Sequence, residues 1–290
     1  MGMYLEFYNL REFPFSIGCD AKFFYESAAH AEALANMQYT IQHRKGMVLV
    51  TGEVGAGKTF LGTMLGSRLG VGTMTVFMNH PPQSSKQLLR ALAGKAGLDV
   101  PASADRLALV DQLEDFLVRL YRRSRTAAVI VDEAQDLPAT ALEELRLVWN
   151  WERDGQRLVQ IVLIGQPELR TRILEPRWEP LRQRIVLSYH LSQLSPDDTV
   201  AYIAHRLKIA SDGRCLADFT DEAVRRIHDA ADGIPRIINV VCDNCLLTGY
   251  AKGVYRIYTD IVSEVLRDMT CWNLGTNQTL PARSVYPDGR

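Results

Sequence analysis

Little in this sequence marks it for the cell exterior or for a membrane. Five cysteines in 290 residues are too few and too scattered to staple a chain of this length, which fits a reducing compartment. Apolar stretches such as 158–165 and 237–241 fall well short of the roughly 20 residues that span a bilayer. Residues 1–12 mix Tyr4, Glu6, Asn9 and Arg11 among apolar side chains and lack the basic-then-apolar order of a secretory signal. A cytoplasmic protein without direct membrane insertion is therefore expected. A charge surplus is missing too: 33 Lys and Arg against 34 Asp and Glu leave a net charge of -1, which argues against strong binding of a polyanion by the lone subunit while leaving room for a local basic surface. Internal repeats and low-complexity tracts are absent. Cys242 and Cys245 form a CxxC, but it sits in an apolar helical pattern over 237–250 with no second Cys or His pair at zinc spacing, so they read as packed core thiols.

What is present is a globular composition, 47% hydrophobic and 23% charged, enough for one large domain and a small one. The middle of the chain alternates short β-branched runs with longer amphipathic segments, the pattern of a parallel α/β sheet. Strands are expected at 47–51, 73–79, 127–132, 160–165 and 185–190, and helices at 58–69, 84–96, 104–123 and 139–153. Beyond Leu194 the strand signals stop. Ser195-Pro196-Asp197-Asp198, Thr220-Asp221-Glu222 and Tyr258-Thr259-Asp260 all read as helix starts. The expectation is an N-terminal segment (1–45) packed on an α/β core (46–192), a small all-helical C-terminal domain (193–270) and a flexible tail (271–290).

The segment Gly52-Glu53-Val54-Gly55-Ala56-Gly57-Lys58-Thr59 is a complete GxxxxGK[ST] motif, lying between an apolar strand and a helical pattern. Its glycines let the backbone curl so that N–H groups face a phosphate, and the following helix presents its positive dipole end at the same point. Lys58 is expected to reach the β and γ phosphates of ATP and the Thr59 hydroxyl to ligate Mg2+, and Phe60, next along the helix, is counted with the nucleotide-binding residues. A second phosphate motif, Ala128-Val129-Ile130-Val131-Asp132-Glu133, is a buried strand ending in two carboxylates. Alone, the pair could cap the turn marked by Asp136 and Pro138. Beside the upstream loop, Asp132 reads as a ligand of the magnesium shell and Glu133 as the general base that polarises the attacking water.

Three further stretches, Asp132-Glu133-Ala134-Gln135, Gly165-Gln166-Pro167-Glu168-Leu169 and Leu181-Arg182-Gln183-Arg184-Ile185, resemble the ExeA/GspA branch of the AAA+ ATPases. The opening, Tyr4 to Asn9 with Leu10-Arg11-Glu12-Phe13-Pro14-Phe15, is also similar to that branch, and the likeness runs over about 4–268. It implies a P-loop NTPase fold, a five-stranded parallel sheet between helices with the C-terminal helical domain as a lid. On the matching positions it implies that Gln166 is the sensor-1 residue, where the wider class more often carries Asn, Thr or Ser. It further implies that Arg184, with Arg182 as the near alternative, is an arginine finger reaching a neighbouring subunit's ATP, and that Arg236 is sensor 2. Asn79 resembles the polar switch that holds the Walker B glutamate, or is a turn-forming Asn. Phe13 and Phe15 cover the adenine or pack on the sheet edge.

A trans-acting finger implies head-to-tail self-assembly, as a ring or a filament. Two roles are then open. One is an ATPase of secretion or export, similar to ExeA/GspA, acting with a membrane-protein partner, since the chain stops before the membrane helix and peptidoglycan-binding region usual in that branch. The other resembles the TniB, TnsC and MuB transposition regulators, assembling on duplex DNA with a transposase. Arg170, Arg172, Arg177, Arg182 and Arg184 could line a groove for phosphates, although Glu168, Glu175 and Glu179 are interspersed among them.

Overall fold

Three runs of the chain are buried at every position: β1 (Met47–Gly52), β3 (Thr126–Val131) and β6 (Val159–Gly165). Strands covered on both faces read as continuous β-branched and aliphatic sequence and sit in the centre of parallel sheets. The computed structural model, which describes residues 4–18 and 20–270, has them so placed. The five-stranded parallel sheet runs β2 (Thr73–Met78), β3, β6, β1, β7 (Ile185–Leu191). The two edge strands are only partly covered, and β7 alternates partly buried and exposed positions. Alternate residues of the central strands point to opposite layers. Val48, Val50, Ala128, Ile130, Val162 and Ile164 pack against α1 (Ala28–Gln42) and α2 (Lys58–Arg68). Leu49, Val129, Val131, Ile161 and Leu163 pack on the other side with α3 (Ser85–Lys95), α4 (Arg106–Arg122) and α5 (Ala139–Trp149). Two covered faces fix strand register, because a one-residue slip would exchange the two layers.

The described residues divide into two compact units, 18–193 and 4–17 with 194–270. Within the first, the helix expected over 139–153 stops at Trp149 and gives way to a two-residue antiparallel hairpin, β4 (Glu152–Arg153) with β5 (Gln156–Arg157). The turn is Asp154-Gly155, both at positive φ (52° and 71°), the geometry that an Asp-Gly pair favours in a two-residue hairpin loop. Between β6 and β7 lie α6 (Pro167–Leu174), with Pro at its first position, and the single turn α7 (Glu179–Arg182).

The second unit contains α8 (Pro196–Ser211), α9 (Asp221–Ala231), α10 (Pro235–Ala251) and α11 (Thr259–Thr270). Ser195 and Thr220 cap α8 and α9 by accepting from the Asp198 and Ala223 amides at 3.0 and 3.2 Å. The unit is not all helical: β8 (Asp218–Phe219) and β9 (Arg256–Ile257) form a two-residue parallel pair.

The N-terminal boundary also differs from the expected one. Residues 4–16 belong to the helical unit, and only the stretch from residue 18 onward goes with the sheet. The fully buried Tyr8 donates its hydroxyl to the carbonyls of Leu246 and Val254, each at 3.1 Å. The Arg11 amide donates to Ala210 O at 2.8 Å, and the buried Arg206 guanidinium donates to the carbonyls of Pro14 and Ser16. Phe15 is buried edge-on to Phe219, and the half-exposed Phe13 meets Tyr4. Both aromatics that were expected at the adenine or the sheet edge therefore pack within the helical unit. The same unit buries Cys242 and Cys245, and burial pushes the Cys242 thiol well above its ordinary value and Cys245 up to about 12. The expected tail, 271–290, lies outside the described residues. Among those described, no helix is long and apolar enough to cross a membrane.

Candidate functional site: a phosphate loop beside two strand-end acids

In a parallel sheet all strands end on one side, and crevices there collect loops from several strands. Register sets the depth of each strand here: Thr51 lies beside Gly165, and Val131 beside Leu163. The residues that follow β1, β3 and β6 therefore emerge together. They are Glu53 to Thr59, Asp132 with Glu133, and Gln166.

The loop after β1 reaches α2 through Gly55 and Gly57 at φ of 84° and 94°, a backbone region that costs a side-chain-bearing residue energy and glycine almost nothing. Gly57 is the N-cap of α2 and supplies no side-chain hydrogen bond, so the helix's first amides are left to whatever anion meets that end. The remaining loop residues, Gly52, Glu53, Val54 and Ala56, complete the turn, with the Ala56 amide donating to Glu53 O at 3.2 Å. Lys58 opens the helix and is buried. Its ammonium folds back to donate to the Gly52 and Glu53 carbonyls at 2.8 and 2.9 Å. Burial lowers its proton affinity, and the carboxylates of Glu133, Asp132, Glu53 and Glu168 work against that. Phe60 stacks on Phe24 with centroids 5.7 Å apart.

Asp132 is buried one residue past β3, and its carboxylate accepts from the Thr59 hydroxyl at 2.6 Å and from the Glu133 amide at 3.0 Å. Burial raises its pKa, as does the neighbouring Glu133 charge, while the two hydrogen bonds and Lys58 oppose the rise. Magnesium holds its oxygens at about 2.1 Å, which puts adjacent octahedral ligands about 3 Å apart. The Thr59 and Asp132 oxygens need to separate by only a few tenths of an ångström to serve, so this pair fits the ion.

Glu133 has φ 50° and ψ 40°, a left-handed conformation uncommon for a residue with a long side chain. Its carboxylate accepts from the Gln135 carboxamide at 2.7 Å, and the oxygen of that carboxamide accepts from the Gln166 amide at 3.0 Å. The side chain bonded to Glu133 here is Gln135, while Asn79, the expected polar switch, is exposed one residue beyond β2. Gln166 caps α6 by its backbone position, without a side-chain cap bond. Sequence reasoning assigned no role to Gln135, and a contact that joins the ends of β3 and β6 has no local signature.

The arginines behave differently from one another. Arg184 is partly exposed, lies over the Trp149 ring at 5.6 Å, and donates to Asn150 Oδ1 at 3.2 Å and to the Pro180 carbonyl. Burial, then the nearby Arg146 and Arg157 charges, lower its pKa. Arg182 donates to Leu174 O at 3.1 Å. Arg172 turns inward, to the carbonyls of Gln135 and Leu137 at 3.1 and 2.6 Å, whereas Arg177 pairs with Glu175 at 2.8 Å. These four arginines therefore make separate local contacts, and Arg170 is exposed on α6. Arg236 is exposed at the second position of α10 in the helical unit.

Comparison with known proteins agrees with this construction. The family described as AAA domain matches residues 41–173. General secretion pathway protein A of Aeromonas hydrophila is 39% identical over 293 aligned positions, covering 99% of this chain and 53% of that protein. The chain thus spans about half the length of that relative. An uncharacterized HTH-type transcriptional regulator of Methanocaldococcus jannaschii is 26% identical over 176 positions, 60% of this chain and 42% of that protein. Among solved structures, Aeropyrum pernix ORC2 in its ADPNP–ADP complexes superposes with a TM-score of 0.65 at 18% identity, covering 88% of this chain and 71% of that one. Cdc6p of Pyrobaculum aerophilum gives 0.66 at 14% identity, with 88% and 70% covered. The Thermotoga maritima RuvB Holliday junction branch migration motor gives 0.58 at 18% identity, with 86% and 73% covered. Identities this low speak for the fold alone.

Proposed function

Since the chain belongs to the AAA+ P-loop proteins, in the branch represented by general secretion pathway protein A, we propose that it binds ATP with Mg2+ and hydrolyses it as an ATP-controlled oligomer. The observation that carries this reading is the junction of Lys58, Thr59, Asp132 and Glu133 beyond the C-terminal ends of β1 and β3, with Thr59 and Asp132 in direct contact at 2.6 Å.

Lys58 exchanges its two loop carbonyls for phosphate oxygens, and the amides of Gly55 to Thr59 receive the rest of the phosphate charge. Thr59 and Asp132 hold the magnesium shell, which when occupied neutralises charge on the phosphates. Glu133 takes the proton of the attacking water, and Gln166 orients that water. Arg184 of a neighbouring copy supplies transition-state charge in trans, with Arg182 as its control, and Arg236 takes the sensor-2 role.

Turnover measured on Lys58→Ala and Glu133→Gln tests the core of this reading. Lys58→Ala should lose nucleotide binding. Glu133→Gln should keep it and slow hydrolysis about 100-fold or more. Failure of the wild-type protein to take up Mg-nucleotide, or full turnover by Glu133→Gln, would sink it.

For the process served, we propose secretion or export with a membrane-protein partner, supported by the 39% identity to general secretion pathway protein A. Recruitment of the ATP-bound protein to membranes by a co-expressed partner is the expected result. Salt-sensitive filaments on duplex DNA with a non-hydrolysable ATP analogue would point instead to a transposition role.

A further inference from the structure

Glu133 sits at a bend in the chain, partly exposed and at the end of a side chain with three rotatable bonds. A base must lie within hydrogen-bond reach of the proton it removes, so something has to fix that carboxylate. The group that touches it is Gln135, and the orientation of the Gln135 amide is not open to choice. The backbone N–H of Gln166 can only donate, so the carboxamide oxygen must face it at 3.0 Å, and this turns the NH2 toward Glu133 at 2.7 Å. The main chain of Gln135 is held from the same direction. Arg172, on the helix that starts directly after Gln166, donates to Gln135 O and Leu137 O, and its guanidinium lies over the Trp178 ring at 5.6 Å. Side chain and backbone of one residue are thus both fastened to the segment from Gln166 to Arg172.

We propose that Gln135 is the positioning residue of the hydrolytic site, its NH2 aiming the Glu133 carboxylate while its oxygen ties that aim to the strand end carrying Gln166. The proposal rests on the reading of Glu133 as the general base. It gives the coupling between base and sensor position a physical form: a displacement of the Gln166 backbone shifts the Gln135 amide and with it the carboxylate. Nucleotide affinity belongs to the loop and Lys58 and does not pass through this link.

The test compares steady-state ATP turnover and binding of a non-hydrolysable ATP analogue for the full chain and four variants: Gln135→Met, Gln135→Glu, Glu133→Gln, and Glu133→Gln with Gln135→Met. Gln135→Met removes both bonds at similar volume. Gln135→Glu keeps the acceptor for the Gln166 amide, loses the donor to Glu133 and sets a second carboxylate against it, so that it repels the group that Gln135 holds, and it is close enough in shape to carry the test should the methionine variant fail to fold. Both single variants should lower kcat by roughly 10- to 100-fold, the scale of a misplaced catalytic group, with KM and analogue affinity unchanged. In the Glu133→Gln background, Gln135→Met should cause no further loss, because residues acting as one unit are not additive. Wild-type kcat in Gln135→Glu would reduce Gln135 to a cap for the Gln166 amide and overturn the proposal. An equal loss from Gln135→Met in both backgrounds would do the same. Undiminished turnover in Glu133→Gln removes the base reading and this one together, whereas an inactive Glu133→Gln beside fully active Gln135 variants removes only this one.

Discussion

Gly165→Ala approaches the Gln135 link from the other side, by sterics instead of chemistry. Gly165 is the last, buried residue of β6. A Cβ built there lies 2.7 Å from Gln135 Oε1, 2.7 Å from Leu169 Cδ2 and 3.2 Å from Leu169 Cβ. Leu169 is fully buried and has little room to retreat. Overpacking of this kind costs about 1–3 kcal/mol, which for a unit of this size lowers Tm by roughly 2–10 °C. The carboxamide oxygen has more freedom, but reaching an ordinary contact of about 3.4 Å requires a retreat of about 0.7 Å, and a 3.0 Å hydrogen bond drawn out toward 3.7 Å is no longer one. The alanine variant should therefore fold, bind the ATP analogue as the wild type does, and hydrolyse ATP more slowly, with the deficit in kcat. Thermal unfolding, analogue binding and steady-state turnover on the same preparation separate these effects. A variant that lost stability but kept wild-type kcat would refute the reasoning, since the clash would have been absorbed without disturbing Glu133.

Other consequences are open to simpler measurements. Tyr8→Phe removes a hydroxyl that serves two carbonyls at 3.1 Å and should destabilise the helical unit by about 1 kcal/mol in urea titration. Alkylation followed by mass spectrometry should leave Cys242 and Cys245 unmodified in the native protein and label both in denaturant, because burial keeps each thiol protonated and out of reach. Under the proposed trans-acting role, Arg184→Ala should abolish the turnover that depends on assembly, and mixing with Glu133→Gln subunits, whose Arg184 is intact, should restore it; Arg182→Ala should behave as wild type. Arg68 holds the Glu26 carboxyl below its usual range through a two-pronged ion pair. A depressed acid stabilises above its ordinary pKa and loses that contribution as pH falls through its folded value. The pair is a third exposed and so contributes at most about 1 kcal/mol. Arg68→Ala should lower Tm slightly at pH 7 and by a vanishing amount once the pH has fallen below the folded pKa of Glu26.

The parts of the fold legible in the sequence are those with local causes. Strands buried on both faces cannot be written without runs such as Val129, Ile130 and Val131, and the helix starts at Ser195 and Thr220 carry their own capping chemistry. The loop from Gly52 to Thr59 is legible for the same reason, since its glycines answer to backbone angles within the motif. α1 was readable but not named: Ser27 caps it, and Ala33, Leu34, Met37 and Ile41 fall at helical spacing on its buried face. The early end of α5 was announced by Asp154-Gly155, a hairpin signal that the helical pattern around Trp149 obscured. Gln135 and the docking of Tyr8 depend on where separate elements meet, and no window of neighbouring residues encodes that meeting.

That docking has a cost in time. Tyr8 and Leu246 are separated by 238 positions, and at about 5–20 residues per second of synthesis the nascent N-terminus waits roughly ten to fifty seconds before its partner helix exists. Throughout that interval Tyr4, Phe7, Tyr8 and Phe15 have no native surface to rest on, while the intervening sheet is already free to fold. Aggregates that form during synthesis should therefore be seeded from the stretch between Tyr4 and Phe15.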